Sequence, residues 1–296
     1  APPPLAVQAL APPRAAPPST SRDLTLLATI DSLKIHDLVI TDLKIPFRQK
    51  GDVIEMSAAH LKIGGAPLKA TIRTEQGKVK PPFHFEATVE NLPLGPLVDV
   101  SNPNFKGQIA GTLTVQIQGE GSGLSMVDIE QNLKGTIQIA IRQAHLEKVP
   151  GLQKMLKQFG DLLQAPDITH SSLDNVDASW QVAAGKAHTE NLHIGGPAIE
   201  FTLRGDTFLD QRLDMGASLK IKREVMNRSS LLAPLVKTIS SENGDWIKLP
   251  KGAVVTGTLI DPIFKYDIGE LLKTGGVNTL GAILKGLLKK EPPKDD

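Results

Sequence analysis

The chain has 296 residues with a formal net charge of +1, no cysteine and only 4% aromatic residues. The balanced charge argues against a basic nucleic-acid surface, and the scarcity of aromatic residues argues against a stacking platform for single-stranded nucleic acid. Without cysteine there is no disulfide framework, no thiolate nucleophile and no cysteine-ligated zinc.

The two ends of the chain are low in complexity. Residues 1–21, APPPLAVQALAPPRAAPPSTS, are rich in proline and alanine, and proline fixes φ and removes a hydrogen-bond donor, so we expect an extended, disordered linker. Residues 291–296 form a polar tail. The chain starts on Ala1 without a charged leader, and no apolar run approaches the roughly 20 residues that span a bilayer. We therefore expect further sequence upstream, and a single elongated domain over 22–290, with a first part at 22–104 and a second at 105–290.

Apolar and polar residues alternate along most of this domain. The alternation predicts about a dozen half-buried strands, joined by short connections that favour antiparallel pairing. In chain order the apolar stripes are Phe83, Phe85, Ala87 and Val89; Ile109, Leu113, Val115 and Ile117; Ile137, Ile139 and Ile141; Val176, Ala178, Trp180 and Val182; Ile199, Phe201 and Leu203; Leu213, Met215, Ala217, Leu219 and Ile221; and Val255, Gly257 and Leu259.

One segment is repeated. HLKIGGAPLKATIR (60–73) and NLHIGGPAIEFTLR (191–204) align without gaps. Glycine tolerates positive φ at both central positions of a two-residue hairpin, so each Gly-Gly pair predicts a tight turn. Two independent hairpins or a duplicated strand unit would both explain the likeness.

Three stretches have helical rather than alternating spacing. PGLQKMLKQFGDLL (150–163) predicts an amphipathic helix, and 223–241 predicts a helix interrupted near Pro234. A terminal helix is expected in the second half of 268–290. Its apolar residues are Leu280, Ile283, Leu284, Leu287 and Leu288, and its lysines are Lys285, Lys289 and Lys290. Contact with an anionic membrane, a cap over a groove and ordinary packing on the protein's own core all fit this pattern.

No catalytic or metal-binding pattern is present in the sequence. No histidine pair has the i, i+4 spacing of a helical metal site, and His188 and His193, five residues apart, should lie on opposite faces of a strand. The nucleophile-elbow, zinc-protease, P-loop and dinucleotide-binding motifs are absent. We therefore predict no enzyme activity, no cofactor, no metal and no catalytic residue.

The apolar faces of a dozen such strands must be covered. Two packed sheets, a closed barrel and a curled sheet with an apolar trough are all possible, and the alternation alone favours a sandwich or barrel.

Three stretches of the chain resemble the C-terminal region of the AsmA family. They are FKGQIAGTLTVQIQGEGSGLSMVDIEQNLKGTIQIAIRQAHLEKVPGLQKML (105–156), VDASWQVAAGKAHTENLHIGGPAIEFTLRGDTFLDQRLDMGASLKI (176–221) and LPKGAVVTGTLIDPIFKYD (249–267). The resemblance rests on their order, on the helix positions and on the TGTL-DP ending. It is good over 105–285 and looser over 22–104, and it does not include the family's N-terminal membrane helix.

The resemblance implies a mainly β fold, a long curled antiparallel sheet forming an open groove with a few short amphipathic helices. It also implies a Gram-negative envelope protein that carries phospholipid, or another acyl lipid, between the inner and outer membranes. The full-length protein would be anchored in the inner membrane through the absent helix and would meet the outer membrane through its C-terminal end. An interaction module for outer-membrane protein assembly is the alternative; the protein partner is unknown, and no nucleic acid is expected.

A set of aliphatic residues is expected to line this groove. They are Ile109, Leu113, Val115, Ile117, Ile137, Ile139, Ile141, Ile199, Phe201, Leu203, Leu213, Met215, Leu219, Ile221, Val255 and Leu259.

Overall fold

The described strands all belong to one sheet. The computed structural model describes residues 23–35, 38–101, 106–107, 109–229, 232–233, 236, 244–250, 253–259 and 261–267. The strands are β1 Leu24–Ile35, β2 Leu38–Lys50, β3 Val53–Ile63, β4 Ala66–Glu75, β5 Pro82–Pro93, β6 Thr112–Ser122, β7 Lys134–Arg142, β8 Asn175–Ala183, β9 Lys186–Gly195, β10 Ile199–Phe208, β11 Leu213–Lys222, β12 Trp246–Lys248, β13 Ala253–Gly257 and β14 Pro262–Tyr266.

The sheet is an antiparallel meander. The strands lie in the order β1 to β11, then β13 and β14, and the short β12 also pairs with β11. The mainly β, antiparallel fold predicted from the sequence is therefore confirmed. Among the described strands β1 and β14 are the two edges, so this part of the chain forms a single open sheet, and the sandwich or barrel favoured by the alternation alone is wrong.

Five short helices, counted over the residues that the structure describes, interrupt the meander. They are α1 Leu94–Ser101, α2 Met126–Asn132, α3 Pro150–Leu162, α4 Pro166–Thr169 and α5 Arg223–Arg228, and a 3-10 turn at Leu146–Lys148 precedes α3. The helix predicted at 150–163 is thus confirmed, with proline in its first turn, where its missing N–H costs nothing. The helix predicted over 223–241 begins as expected, but Pro234 and the expected terminal helix lie outside the described residues.

The main hydrophobic core lies at the C-terminal end of the sheet. Leu156, Phe159 and Leu163 of the α3 region are completely buried, as are Ile168 of α4 and Met226 of α5. These side chains pack on one face of β10, β11, β13 and β14. The Phe159 ring lies 6.3 Å from the Phe201 ring, 5.3 Å from Phe264 and 5.9 Å from Tyr266, in edge-to-face arrangements. The helices therefore cover one face of the sheet at this end.

Irregular residues keep the apolar side chains on one face where the alternation breaks. In β5 the apolar positions are odd-numbered up to Val89 and then shift to Leu92, and the pairing with β6 shifts at the same point. Asn91 between them has a φ of 53°. In β2, Asp42 has a φ of 55° within a similar shift. Each bulge adds one residue, so the stripe continues on the same face.

The two copies of the repeat form different turns. Gly64 and Gly65 have φ values of 55° and 87° and join β3 to β4 as a two-residue hairpin, as predicted. Gly195 instead pairs with Glu200 inside the sheet, so the predicted Gly-Gly turn is wrong for the second copy. A Cβ on Gly196 would collide with the carbonyl oxygen of Ser172. Glycine is therefore needed at this position because the backbone around Ser172 approaches too closely for a side chain.

Candidate functional site: the apolar face of the sheet

The strand register assigns each side chain to one face, because directly opposed residues of antiparallel strands share a face. Two rows of paired residues cross the sheet. The first runs Phe47, Met56, Ile72, Phe85, Gly119, Gly135, Val182, Ala187, Thr207 and Leu213. The second runs Leu92, Leu113, Ile141, Val176, Ile194, Phe201 and Leu219. We call the face that carries both rows the apolar face.

The apolar face carries no charged side chain on any described strand from β2 to β14. Its polar residues are Gln49, Thr74, Thr189, Thr207 and Tyr266. Twelve of these strands, β2 to β11 with β13 and β14, lie side by side along the sheet, so at about 4.8 Å per strand this face extends about 53 Å across the strands. The sequence thus builds one long surface without a charge.

The opposite, outer face is polar. It carries the directly opposed Gln116 and Gln138, and the Arg142 guanidinium donates to the Asp177 carboxylate. On β9 and β10 the His188 ring nitrogens lie 3.0 Å from a Glu190 carboxylate oxygen and 2.6 Å from an Asp206 carboxylate oxygen. Hydrogen bonds to these two carboxylates, chiefly Glu190, raise the pKa of His188. The outer face therefore presents ordinary solvated polar groups.

His188 and His193 lie on the same outer face, contrary to the expectation from their spacing. His188 is opposed to Asp206 and His193 to Thr202, both even-numbered residues of β10. The β9–β10 register shifts between the two pairs, and a shift of one residue reverses the face.

The glycines of the apolar face make room for two aromatic rings. A Cβ on Gly119 would lie 2.7 Å from the Phe85 ring, and one on Gly121 would lie 2.6 Å from the Phe83 ring. The two rings are stacked on each other, with centroids 6.3 Å apart. The Phe83 and Phe85 rings of β5 therefore lie over the glycines of the neighbouring strand β6, where a larger residue would collide with them.

The first eight strands leave much of this face open. The apolar side chains there that belong to neither buried cluster of the described residues include seven that we call the open strip: Met56, Ile72, Phe85, Ile117, Ile137, Ile139 and Trp180. Ile72 is 44% exposed, and every residue of β1 is exposed. Among the described helices, α1 lies over this half, where its Leu97 packs beside Ala66, Val89 and Leu92.

The last strands bury the same face. Among the residues expected to line the groove, Ile199, Phe201, Leu203, Met215, Leu219, Ile221 and Val255 lie in the main buried cluster. The side chains of α3, α4 and α5 occupy the space above them, so these seven residues are not part of the open surface. Leu113, Ile141 and Leu213 lie at the margin of that cluster, and Val115 packs against the smaller cluster under α1.

Two expected groove residues lie off the strands. Ile109 is buried before the start of β6, where its carbonyl oxygen faces Gly95 of α1. Leu259 follows the end of β13 and is 58% exposed. The expected residues Ile117, Ile137 and Ile139 do lie in the open strip. The terminal-helix residues, from Leu280 to Lys290, lie outside the described part of the chain.

Several residues of the open strip were not among those predicted. Met56 was missed because a register shift between Met56 and Ala59 disrupts the alternation of β3. Ile72 lies in the repeated segment, and Phe85 and Trp180 lie in stripes that the alternation does identify. The cross-strand register, which the sequence does not give, decides that all of them share one face.

Comparison with known families identifies the chain. Residues 11–189 match the model of the AsmA family, which is more than half of the chain. The chain belongs to the AsmA family. The match includes 22–104, where we expected the looser resemblance, and it ends before 190–285, where we expected a good one. No curated protein and no solved structure matches the chain.

The AsmA family is typically found in the bacterial envelope, and membership is consistent with roles there in lipid transfer or in assembly. Among the helices that the structure describes, none is long and apolar enough to cross a membrane.

Proposed function

We propose that this AsmA-family chain is a non-enzymatic, periplasmic lipid-binding and transfer module of a Gram-negative envelope. Phospholipid acyl chains lie on the open strip and move along the apolar face between the inner and outer membranes. The observation that carries the proposal is the charge-free apolar face, left open over the first eight strands. Exposed apolar surface of this extent is uncommon unless it serves binding.

The dimensions of the face suit an acyl chain. One leaflet of the roughly 30 Å hydrocarbon core is about 15 Å deep, and that length crosses about three strands at 4.8 Å per strand. The first eight strands extend about 34 Å on the same basis. Each buried methylene contributes about 0.8 kcal/mol, so ten of them in contact with the face contribute about 8 kcal/mol before the entropy cost of binding.

The chemistry of the face also suits a sliding ligand. It offers no charge and few polar groups that would hold a headgroup at one place, and its aliphatic side chains give similar contacts at each step along the sheet. The headgroup would remain in water at the rim of the sheet. The buried cluster under α3 closes the face at its C-terminal end, so we propose that lipid occupies the half formed by β1 to β8.

A photo-crosslinking amino acid on the two faces of one strand tests the proposal. We would place p-benzoylphenylalanine at Ile137, in the open strip, and at Gln138, the next residue, on the outer face. We expect the Ile137 position to crosslink phospholipid in cells and the Gln138 position to give none. Lipid adducts at both positions, or at neither in a folded protein, would contradict the proposal.

The edge strand favours a second candidate, an interaction module that assists outer-membrane protein assembly. β1 has one paired neighbour among the described strands, and Leu26 and Leu27, on opposite faces of it, are 53% and 63% exposed. Such an edge can accept another strand by β-augmentation. If this candidate is correct, the same crosslinker at Leu27 should capture a protein while the Ile137 position captures no lipid.

A further inference from the structure

We infer that His145, Glu147 and Asp174 form a binding site for a divalent transition-metal ion, with Zn²⁺ as the expected occupant. One imidazole nitrogen and two carboxylate oxygens, one atom from each residue, lie within 4.8 Å of one another. The three residues belong to the connection between β7 and β8 and not to the open strip. The inference therefore goes beyond the proposed function and does not depend on it.

The site lies at the base of the helical insert that separates β7 from β8. This insert, residues 143–174, contains α3 and α4, whose side chains cover the apolar face at its C-terminal end. His145 and Glu147 come soon after the end of β7, and Asp174 directly precedes the start of β8. An ion bound by all three residues would therefore join the two ends of the insert.

Backbone hydrogen bonds already hold the two ends of the insert side by side. The Ala144 N–H donates to the Asp174 carbonyl oxygen at 2.9 Å, and the Leu146 N–H donates to the Leu173 carbonyl oxygen at 3.1 Å. Ala144, Leu146 and Leu173 are all buried, so packing also restrains this backbone. Since the ligand-bearing segments are held in place before an ion binds, less conformational entropy is lost on binding.

The distances fit a tetrahedral zinc ion. Zinc lies about 2.0–2.2 Å from nitrogen and oxygen ligands, so two ligand atoms at the tetrahedral angle lie about 3.4 Å apart. The Nδ1 atom of His145 is 3.5 Å from Oε1 of Glu147. Because the whole group lies within 4.8 Å, a side-chain shift of about 1 Å gives the Asp174 oxygen the same spacing.

The second oxygen of Glu147 has a partner that orients the carboxylate. Oε2 of Glu147 accepts a hydrogen bond from the Leu173 N–H at 3.2 Å. Contacts of this kind in the outer shell fix the orientation of a ligating carboxylate and raise metal affinity. Three protein ligands leave the fourth position of a tetrahedral zinc ion for water, and the Glu147 side chain is only 23% exposed.

The charge of the cluster also favours a cation. Among the described residues, no lysine or arginine nitrogen lies within 4.0 Å of the Glu147 or Asp174 carboxylate. The two carboxylates beside His188, in contrast, are paired with Lys186 at 2.7 Å and with Arg204 at 2.6 Å. Two carboxylates close together repel each other, and a bound dication removes that repulsion.

The pattern of histidines in the sequence does not predict this site. The site contains a single histidine, and its third ligand comes from the far end of the insert, so only the fold brings the ligands together. Imidazole is a ligand for zinc and other transition metals, whereas Mg²⁺ and Ca²⁺ take oxygen ligands. The mixed ligand set therefore favours Zn²⁺ over the hard cations.

Isothermal titration calorimetry of the whole, tag-free chain tests the inference. ZnCl₂ is titrated into protein that has been treated with EDTA and desalted, and MgCl₂ is titrated in a parallel experiment. The variants H145A, E147Q and D174N each remove one ligand. Glutamine at position 147 keeps a side-chain oxygen that can accept the hydrogen bond from Leu173, so this variant preserves the local fold.

The matched control is H84A. The His84 side chain is 49% exposed, against 51% for His145, and its Nε2 atom lies 3.2 Å from a Glu86 carboxylate oxygen. Among the described residues no third ligand joins this pair. The control therefore measures zinc binding by an ordinary exposed histidine beside one carboxylate.

We expect one Zn²⁺ per chain, with a Kd raised at least about tenfold in each ligand variant and unchanged in H84A. Zinc at a hundred times its Kd should raise the Tm of the unmodified chain by about 5 °C, with no such rise in H145A. Absence of zinc binding would overturn the inference. So would equal weakening in H84A and H145A, or binding of Mg²⁺ as tight as that of Zn²⁺.

Discussion

Truncating two isoleucines on the same face should distinguish its open and closed parts. Ile221 is completely buried beneath the helices, whereas Ile72 in the open strip is 44% exposed. The Ile→Ala change removes three carbons, worth about 2.4 kcal/mol when all are buried, at 0.8 kcal/mol each. At Ile221 the unfilled cavity adds to this loss, for a total of about 3–4 kcal/mol. At Ile72 only the buried share is lost and water fills the space, so we expect about 1.3 kcal/mol.

Urea unfolding of I221A, I72A and the unmodified protein measures this difference. Fits with equal m-values would show that each change acts on the folded state. We expect I221A to be less stable than I72A by about 2 kcal/mol, given the cavity term. Equal losses of 3 kcal/mol or more at both positions would refute the reasoning, because they would mean that another layer covers the open strip.

Three further predictions follow from the two faces and their contacts. Ile139→Asp should leave the protein folded and remove its bound lipid, measured by mass spectrometry, whereas Gln138→Asp on the outer face should retain it; equal retention would exclude Ile139 from the lipid surface. Hydrogen-bonded carboxylates raise the pKa of His188 in the folded protein. The protonated His188 therefore stabilises the fold fully at a pH below the ordinary histidine pKa of about 6.5, and this stabilisation is lost as the pH rises through the raised pKa. His188→Gln should therefore lower the melting temperature more at pH 5.5 than at pH 8.5, and an equal drop at both would contradict this linkage. Gly135→Ala should cost about 1–3 kcal/mol in thermal unfolding, because the added methyl group meets the backbone of the neighbouring strand, whereas Gly216→Ala, with its nearest atom 3.9 Å away, should cost less.

The alternation in the sequence predicts strands such as β7, β10 and β11 correctly, and the helical spacing at 150–163 predicts helix α3. Ile137, Ile139 and Ile141 of β7 alternate with Gln138, Ala140 and Arg142, and the period-2 signal is reliable where a strand has no bulge. The heptad-like spacing of Leu152, Leu156 and Phe159 likewise predicts the helix that the structure shows.

The sequence does not predict which part of the apolar face is covered. Leu203 and Ile139 look alike in an alternating pattern, yet Leu203 is buried under the helices and Ile139 lies in the open strip. The difference depends on where α3 packs, which is a long-range contact that local periodicity does not encode. Bulges such as the one at Asn91 also shift the stripe without a clear sequence signal.

Mass spectrometry of lipid extracted from the purified protein, after washing in detergent-free buffer, tests the central claim most directly. The proposed function predicts phospholipid in stoichiometric amounts and of mixed acyl composition. The open strip contacts methylene groups and has no polar group that would select one acyl chain over another. A folded, monomeric protein that carries no lipid would contradict it. In that case the exposed apolar strand β1 would become the leading candidate for the functional surface.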